Sequence, residues 1–443
     1  MPRSPEFLLV LACGAIGMLV ALVTWRKWNA FIALLVAAML VGVGAGLAPL
    51  DSLKSFQEGV GATLGGIAAI IAFGAMIGKL LGESGGAEVL AERFVKFFGP
   101  SRAGLCIIAL AMVVGLVTWF VVGLLLLLPV LVTLSRETKR PFLLLAIPLL
   151  SFLSVMHGLM PPHPGPVVAV ELLGADTGMV LVFGFLVGIP TAAIAGPLFA
   201  RWVVRFVPVT TPKVAEVTPS RLARPGFGGT LFVLALPVFL MLLATVGELF
   251  FAKESQVRGA LAFIGNPVVA LTLSVFAAAW IFGRSCGFGR AQILRFTEQS
   301  VAGIGMTLLV VAGGGGFARV LRDSGVADAL GSLASTLHLP PLVYGWMISA
   351  FIRVATGSAT VAITTAAGLL APVLLANPDL RPELLVLSVG FGSLFLSHLN
   401  DGGFWLVKDC LGLTVGQTLR TWTVTETLIG IIGLGLTLLL AAL

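Results

Sequence analysis

The stretch AFGAMIGKLLGESGGAEVL, residues 72–90, aligns without gaps on AGGGGFARVLRDSGVADAL, residues 312–330. The alignment pairs bases, acids and glycines: Gly74 with Gly314, Lys79 with Arg319, Glu83 with Asp323, Ser84 with Ser324, Gly85 with Gly325 and Glu88 with Asp328. Nearly the same offset pairs Pro100 with Pro340 and His157 with His398, and a slightly shorter one pairs Asn29 with Asn266. Matching charges in such apolar surroundings indicate that the chain consists of two related halves.

The composition places these halves in a membrane. Of the 443 residues, 58% are hydrophobic and 11% are charged, whereas soluble proteins carry about 25% charged residues. Apolar stretches long enough to cross a bilayer recur, among them Phe7–Thr24, Ala30–Ala48, Val60–Leu81 and Met179–Ala200. The sequence therefore predicts an all-α polytopic membrane protein. Loop lysines and arginines account for the net charge of +7, so this charge does not indicate a nucleic-acid partner.

Loop charges orient the two halves in opposite directions. Basic loops are retained in the cytoplasm, which places Arg26-Lys27 and Arg136–Arg140 inside and the net negative loop Asp51–Glu58 outside. The counterpart of Arg136–Arg140 in the second half is Asp379–Glu383, which is net negative. Related sequences with opposite orientation are typical of inverted-repeat transporters. The alternative is a duplicated bundle with both halves in the same orientation.

The predicted organisation is two inverted repeats joined by a polar cytoplasmic linker. Together they make about ten crossings plus two re-entrant hairpins and two broken helices, with both termini outside. The predicted boundaries are a first repeat over 1–206, with hairpin 103–134 and break 157–166, a linker over 207–229, and a second repeat over 230–443, with hairpin 342–376 and break 397–403.

The two breaks and the two hairpin tips, at Thr118–Gly123 and Thr356–Thr360, predict one central site. Non-helical backbone at membrane depth is tolerated only where it is buried in protein or lines a cavity. Half-helices that begin at such points aim N–H groups and partial positive charge inward, which suits a carboxylate substrate. The predicted substrate-binding residues are Thr118, Pro162, His163, Gly165, Arg353, Thr356, Gly357, Ser358, Thr360, Asn400 and Asp401.

Three of the ionisable or polar side chains are candidates for proton coupling: Asp401, His163 and His157. An acid inside a membrane is costly and marks function by default, and histidine titrates near neutral pH. Each residue also has a structural alternative. Asp401 can cap the half-helix that follows it, the histidines can satisfy carbonyls in a rigid turn, and Arg353 can extend to the membrane interface.

Three motifs carry a resemblance to a known family: Gly158-Leu-Met-Pro-Pro-His-Pro-Gly-Pro166, Gly357-Ser-Ala-Thr-Val-Ala362, and Ser397-His-Leu-Asn-Asp401 followed by Gly403-Phe-Trp405. Along essentially its whole length the chain resembles the gluconate:proton symporter family. The resemblance implies proton-coupled uptake of gluconate or a related small hydroxylated monocarboxylate across the bacterial inner membrane. It also implies an elevator-type motion, a homodimer and no cofactor. Val121 stands where the family has an acid, and Gly402 stands where it often has a proline.

Three other functions remain open at this point. A Na⁺-coupled transporter of another organic or amino acid could use carbonyls and hydroxyls at the breaks, and a passive anion channel would also fit inverted repeats. A membrane enzyme acting on lipid phosphates would need clustered acids or a metal-binding histidine set. The sequence lacks HExxH and DxxxD motifs, so we expect no enzymatic activity and no metal.

Overall fold

The computed structural model describes residues 4–209, 223–252, 254–326, 329, 339–377, 379–399 and 401–443, in which every regular element is helical. The first half contains α1 Pro5–Thr24, α2 Ala30–Ala45, α3 Pro49–Ser84, α4 Gly86–Phe98, α5 Ala103–Gly115, α6 Phe120–Thr138, α7 Phe142–Leu159, α8 Pro164–Leu173, α9 Thr177–Ala193 and α10 Phe199–Val203. A π-helical turn, Ile194–Leu198, joins α9 to α10.

The second half has a similar but not identical series of helices. It contains α11 Phe227–Phe250, α12 Gln256–Gly265, α13 Pro267–Ala278, α14 Arg290–Asp323, α15 Pro341–Thr356, α16 Ala359–Ala376, α17 Pro382–Leu394, α18 Gly402–Leu411, α19 Val415–Thr418 and α20 Val424–Ala441. A π-helical turn, Ala279–Gly283, follows α13, and another, Leu419–Thr423, joins α19 to α20. The middle of the predicted linker lies outside the described residues, and α11 begins at Phe227, slightly before the predicted end of that linker.

Both predicted hairpins are helix–turn–helix pairs: α5 with α6, and α15 with α16. Hairpin 1 extends beyond the predicted end, to Thr138. Both breaks differ in extent from the prediction. The first spans only 160–163, because proline is well tolerated in the first turn of a helix and so Pro164 and Pro166 begin α8 instead of remaining unwound. The second spans 395–401, since α17 ends before Phe395.

Equivalent positions of the two halves have equivalent local structures. Asn29 and Asn266 both cap a helix, accepting from the N–H groups of Phe31 and Val268. Lys79 pairs with Glu83 at 2.8 Å, and Arg319 pairs with Asp323 at 2.9 Å, each one helical turn apart. Gly85 and Gly325 follow the ends of α3 and α14 with φ of 79° and 77°, a conformation that favours glycine. The repeat seen in the sequence is therefore also a repeat of local structure.

The long helices α3 and α14 cross closely at glycines. A Cβ on Gly59 would lie 2.5 Å from the carbonyl oxygen of Gly315, and one on Gly316 would lie 2.7 Å from the ring of Phe56. Small residues let helix backbones approach in this way within a membrane. The glycine run Gly313–Gly316 therefore contributes to this close helix packing.

Within the described residues, seven helical segments are long and apolar enough to cross a bilayer, and an eighth is added if the bent helix α6 counts as one span. The seven are Pro49–Ser84, Phe142–Leu173, Thr177–Val203, Phe227–Gly247, Pro267–Cys286, Arg290–Asp323 and Val415–Ala441. The predicted number of about ten crossings also counts α1, α2 and the broken pair α17 and α18, whose described apolar parts are shorter.

Candidate substrate-binding site

Break 1 is attached to the tip of hairpin 1 through a histidine. The ring of His163 is 1% exposed. Its Nδ1 lies 2.8 Å from the carbonyl oxygen of Met160 within the break, and its Nε2 lies 3.1 Å from the carbonyl oxygen of Thr118. A carbonyl oxygen can only accept a hydrogen bond. Whichever ring nitrogen of His163 carries a proton therefore donates to the carbonyl facing it, and this bond holds the ring in place. The Thr118 hydroxyl donates to Val114 of its own helix at 2.7 Å, so the main chain of Thr118 makes the contact to break 1.

Break 2 is attached to hairpin 2 through an ion pair. Arg353, in the last turn of α15, places Nη2 2.5 Å from Oδ2 of Asp401. Arg353 is 4% exposed and Asp401 is 8% exposed, so Arg353 does not extend to the membrane interface. His398 Nε2 lies 3.1 Å from the carbonyl oxygen of Val354, which adds a second link between the same elements.

Asp401 also caps α18, as its structural alternative predicted. Its Oδ1 accepts the N–H of Gly403 at 2.7 Å, and its Oδ2 accepts the Ser397 hydroxyl as well as Arg353. Both carboxylate oxygens are therefore occupied by donors. The Nε atom of Arg353, in contrast, is buried and has no hydrogen-bond partner. A buried N–H donor without a partner is costly, which makes this atom a candidate to receive a ligand.

Break 1 packs directly against the second half. A Cβ on Gly165 would lie 2.6 Å from Ile363 of hairpin 2, and one on Gly158 would lie 2.7 Å from Leu394 at the end of α17. A gap of about 10 Å³ remains between these elements, lined by His157, Gly158, Gly165, Pro166, Ala359, Thr360, Ile363 and Ser393. Such a volume holds about one water molecule. Nδ1 of His157, buried near this gap, has no hydrogen-bond partner.

Four helices begin at the breaks and tips: α6, α8, α16 and α18. The first N–H groups of a helix have no partner within it and carry partial positive charge. In α8 this effect is weakened, because Pro164 and Pro166 have no N–H. In α18 the Asp401 side chain already accepts from Gly403. In α16 the Ser358 hydroxyl accepts from Val361, and α16 is the helix that follows Arg353 in the chain.

The tip of hairpin 2 is built from the predicted polar residues. Gly357 has φ of 71° and ends α15, and the Thr356 hydroxyl donates back to Ile352 at 2.8 Å. The Ser358 hydroxyl caps α16 by accepting the N–H of Val361 at 3.3 Å. Thr360, in the first turn of α16, lines both the central gap and a second pocket of about 230 Å³ that also includes Met306 and Thr307 of α14.

A larger cavity lies beside hairpin 1. It has a volume of about 790 Å³, reaches Thr118 and Trp119 at the tip, and is lined by the charged residues Lys79, Glu83, Glu88, Glu92, Arg136 and Arg224. Arg353 and Asp401 are not among the residues that line it. The space large enough for a sugar acid and the buried ion pair are therefore separate in this conformation.

One of the predicted site residues, Pro162, lies apart from this cluster. Pro162 is buried in break 1, and its ring faces Gly74 of α3 rather than the ion pair. Asn400 lies outside the described residues. Among the residues that are described, no three His, Cys, Asp or Glu side chains come together as metal ligands would.

The family model described as GntP family permease matches residues 7–443. The chain belongs to this family. It is 42% identical to a gluconate permease of Pseudomonas aeruginosa over 98% of each chain, and 41% identical to the Gnt-II system L-idonate transporter of Escherichia coli over 96% of this chain and 97% of that one. A D-serine transporter of Escherichia coli is 34% identical over 96% of both. The protein is therefore a multi-pass membrane permease and not an enzyme.

The architecture of this permease is also similar to a solved structure. The YdaH transporter of Alcanivorax borkumensis matches with a TM-score of 0.65, over 93% of this chain and 97% of the other, at 12% sequence identity. At that identity the similarity concerns the fold alone. It supports the prediction of a transporter fold, made from the apolar spans and the repeat.

One residue of the permease's central cluster was missed by the sequence analysis. Glu426, in the first turn of α20, is 1% exposed, and its carboxyl group interacts electrostatically with Arg353 and Asp401. The sequence does contain an indication of its importance, because Glu426 is an acid within the apolar span Val415–Ala441. Acids within membrane spans are rare and are functional by default. Asp401 is therefore not the only acid in the central cluster.

Proposed function

We propose that this permease imports gluconate or a related small hydroxylated monocarboxylate by proton symport, with an elevator-type motion. The observation that carries the proposal is the buried Arg353, whose Nε has no partner, next to the N-terminal end of α16. The names of the relatives, which include gluconate and L-idonate transporters, support the substrate class. The bacterial inner membrane is the proposed location, and a homodimer is the proposed assembly.

In this proposal the substrate carboxylate binds between Arg353 and the first N–H groups of α16. Arginine donors fit the planar carboxylate, and charge-assisted hydrogen bonds are roughly twice as strong as neutral ones. Thr360 and the carbonyl oxygens of break 1 then face the hydroxyl groups of a sugar acid. Asp401 keeps Arg353 in position through Nη2, which lies on the same edge of the guanidinium group as the unpartnered Nε.

A substrate can enter only if the elements around the central gap separate, since that gap is water-sized. Support for a sliding motion comes from the surfaces between the site and the long helices α3 and α14. Glycine forms one side of several of these contacts: Gly78 against Thr118, Gly314 against Thr364, and Gly368 against Ala318. Faces without side-chain ridges suit movement of one bundle past the other.

The test of the function is uptake of labelled D-gluconate into proteoliposomes under an inward proton gradient, with and without protonophore. We expect protonophore-sensitive accumulation, and competition by L-idonate that is stronger than competition by D-serine. Accumulation that requires Na⁺ and ignores the proton gradient would select the Na⁺-coupled alternative. Equilibration without accumulation would select a channel, and either result would overturn the symport proposal.

The variant Asp401→Asn tests how Asp401 acts. If Asp401 only carried the coupling proton, gluconate exchange between equal internal and external pools would continue in this variant. Both oxygens of Asp401 are already occupied, and its charge balances Arg353. We therefore expect both exchange and accumulation to fall at least tenfold, because loss of a buried hydrogen bond to a charged group costs about 1.5–3 kcal/mol. Wild-type exchange in Asp401→Asn would contradict the positioning role.

A further inference from the structure

The last helix carries a carboxyl group in the centre of the molecule that the proposed binding site does not use. Glu426 is buried at the start of α20, and its Oε1 has no hydrogen-bond partner. The Ser154 side chain of α7 lies beside the carboxyl group. An ionised carboxylate left in this state would be costly, whereas a neutral carboxyl group is tolerated with one partner. The position therefore suits an acid that gains and loses a proton.

The charged groups that act on Glu426 belong to the substrate site. Arg353 of hairpin 2 attracts its ionised form, and Asp401 of break 2 repels it. Three other helices pack against α20: α7, α9 and α17. Helix α7 carries His157, which lies one turn beyond Ser154 and interacts electrostatically with Arg353. Helix α9 carries no ionisable residue, and α17 carries only Glu383, in its first turn. The electrostatic partners of Glu426 are thus Arg353, which is proposed to bind the carboxylate, and Asp401, which is proposed to position Arg353.

Hydrogen bonds also attach the start of α20 to break 2. The residues just before it in the chain, Trp422 and Thr423, donate to the hydroxyl and the carbonyl of Ser397 at 2.7 and 2.5 Å. Ser397 in turn donates to Asp401. These residues belong to the π-helical turn Leu419–Thr423, and π-bulges occur frequently at functional sites. A change of charge on Glu426 therefore acts on a segment already bonded to the Arg353–Asp401 pair.

The charge count links protonation of Glu426 to binding of an anion. Arg353 and Asp401 cancel, so an ionised Glu426 leaves the cluster with an additional negative charge. A monocarboxylate brings another negative charge to the same few ångströms, and like charges in a low-dielectric site repel strongly. Protonation of Glu426 removes that repulsion. The difference in net charge between the protonated and the ionised state of Glu426 does not depend on whether His157 and His163 are neutral or cationic.

We propose that Glu426 carries the coupling proton, so that the proton and the substrate carboxylate bind together. The proposal rests on the proposed function, proton-coupled carboxylate import. A proton from the outer solution adds to the ionised Glu426 carboxylate, and the neutral acid leaves Arg353 free to bind the substrate. After the site opens inward and the substrate leaves, Arg353 favours ionisation of Glu426 and the proton passes to the cytoplasm. The structural alternative is a permanently neutral acid that only fills its position.

The experiment compares wild type with Glu426→Gln, which keeps the shape of the side chain and cannot ionise. An exposed acid at the end of α8 provides the control variant, Glu171→Gln. Calorimetric titration of purified protein with D-gluconate, in buffers of different ionisation enthalpy, counts the protons taken up on binding. Proteoliposomes then give gluconate exchange and protonophore-sensitive accumulation for the same three proteins.

We expect wild type and Glu171→Gln to take up protons on binding at a pH where Glu426 is ionised in the free protein, and Glu426→Gln to take up none. Exchange should persist in Glu426→Gln but lose its dependence on pH, and accumulation should fall at least tenfold. Proton uptake or protonophore-sensitive accumulation at the wild-type level in Glu426→Gln would overturn the assignment. Absence of protonophore-sensitive accumulation in wild type would instead reject the proposed function itself.

A second variant, Ser154→Ala, retains Glu426 and removes the hydroxyl group beside its carboxyl group. We expect the pH dependence of gluconate exchange to shift while accumulation continues, because the Ser154 side chain lies beside the Glu426 carboxyl group. An unchanged pH profile in Ser154→Ala would contradict the role of Glu426, and this result remains informative if Glu426→Gln does not fold.

Discussion

Replacing Arg353 by glutamine is expected to abolish gluconate binding and uptake. The substitution removes the buried positive charge, and Asp401 is left in a site with 8% exposure. Breaking a buried ion pair in this way costs about 3–5 kcal/mol, so the thermal unfolding temperature in detergent should also fall. The measurements are calorimetric binding of D-gluconate and uptake into proteoliposomes.

A double variant separates the loss of binding from the loss of stability. Arg353→Gln combined with Asp401→Asn removes both charges, and it should recover much of the thermal stability without recovering gluconate binding. Arg295→Gln, at an exposed position of α14, is the control for loss of one positive charge. Gluconate binding by Arg353→Gln at wild-type affinity would show that the carboxylate binds elsewhere.

Replacing Gly59 by alanine is expected to destabilise the protein as a whole. The added Cβ would lie 2.5 Å from the carbonyl oxygen of Gly315 and 2.8 Å from Cα of Gly316, both of which are backbone atoms. Helices α3 and α14 must therefore separate, because no side chain can rotate away. Overpacking of this kind costs about 1–3 kcal/mol, and the measurement is thermal unfolding in detergent.

The same helix provides a matched control for this prediction. Gly61 lies two residues further along α3, and a Cβ there would meet nothing within 4 Å. Gly61→Ala should be neutral or slightly stabilising, since alanine is favoured over glycine within a helix by roughly 0.5–1 kcal/mol. Equal unfolding temperatures for Gly59→Ala and Gly61→Ala would argue against a close crossing of α3 and α14.

The sequence determined the class of fold because its signals are local. Apolar length predicts helices that cross a membrane, and glycine, proline and polar residues within such stretches predict where those helices stop. The repeat between residues 72–90 and 312–330 is matched in the structure by two equivalent ion pairs, Lys79–Glu83 and Arg319–Asp323. Helices end close to both predicted hairpin tips and both predicted breaks. Their boundaries moved by a few residues, as at Pro164, because prolines can open a helix as well as end one.

Only the tertiary structure decided which polar groups meet at the centre. Arg353 and Asp401 are 48 residues apart in the chain, and no local pattern indicates that one neutralises the other. Glu426 differs from the other acids near helix ends because it is buried beside Ser154 and the ion pair. Helix formation depends on residues a few positions apart, whereas the charge balance of a buried site depends on long-range packing. The sequence by itself therefore determined where helices form and break, and packing of the two halves determined which charges share the low-dielectric interior.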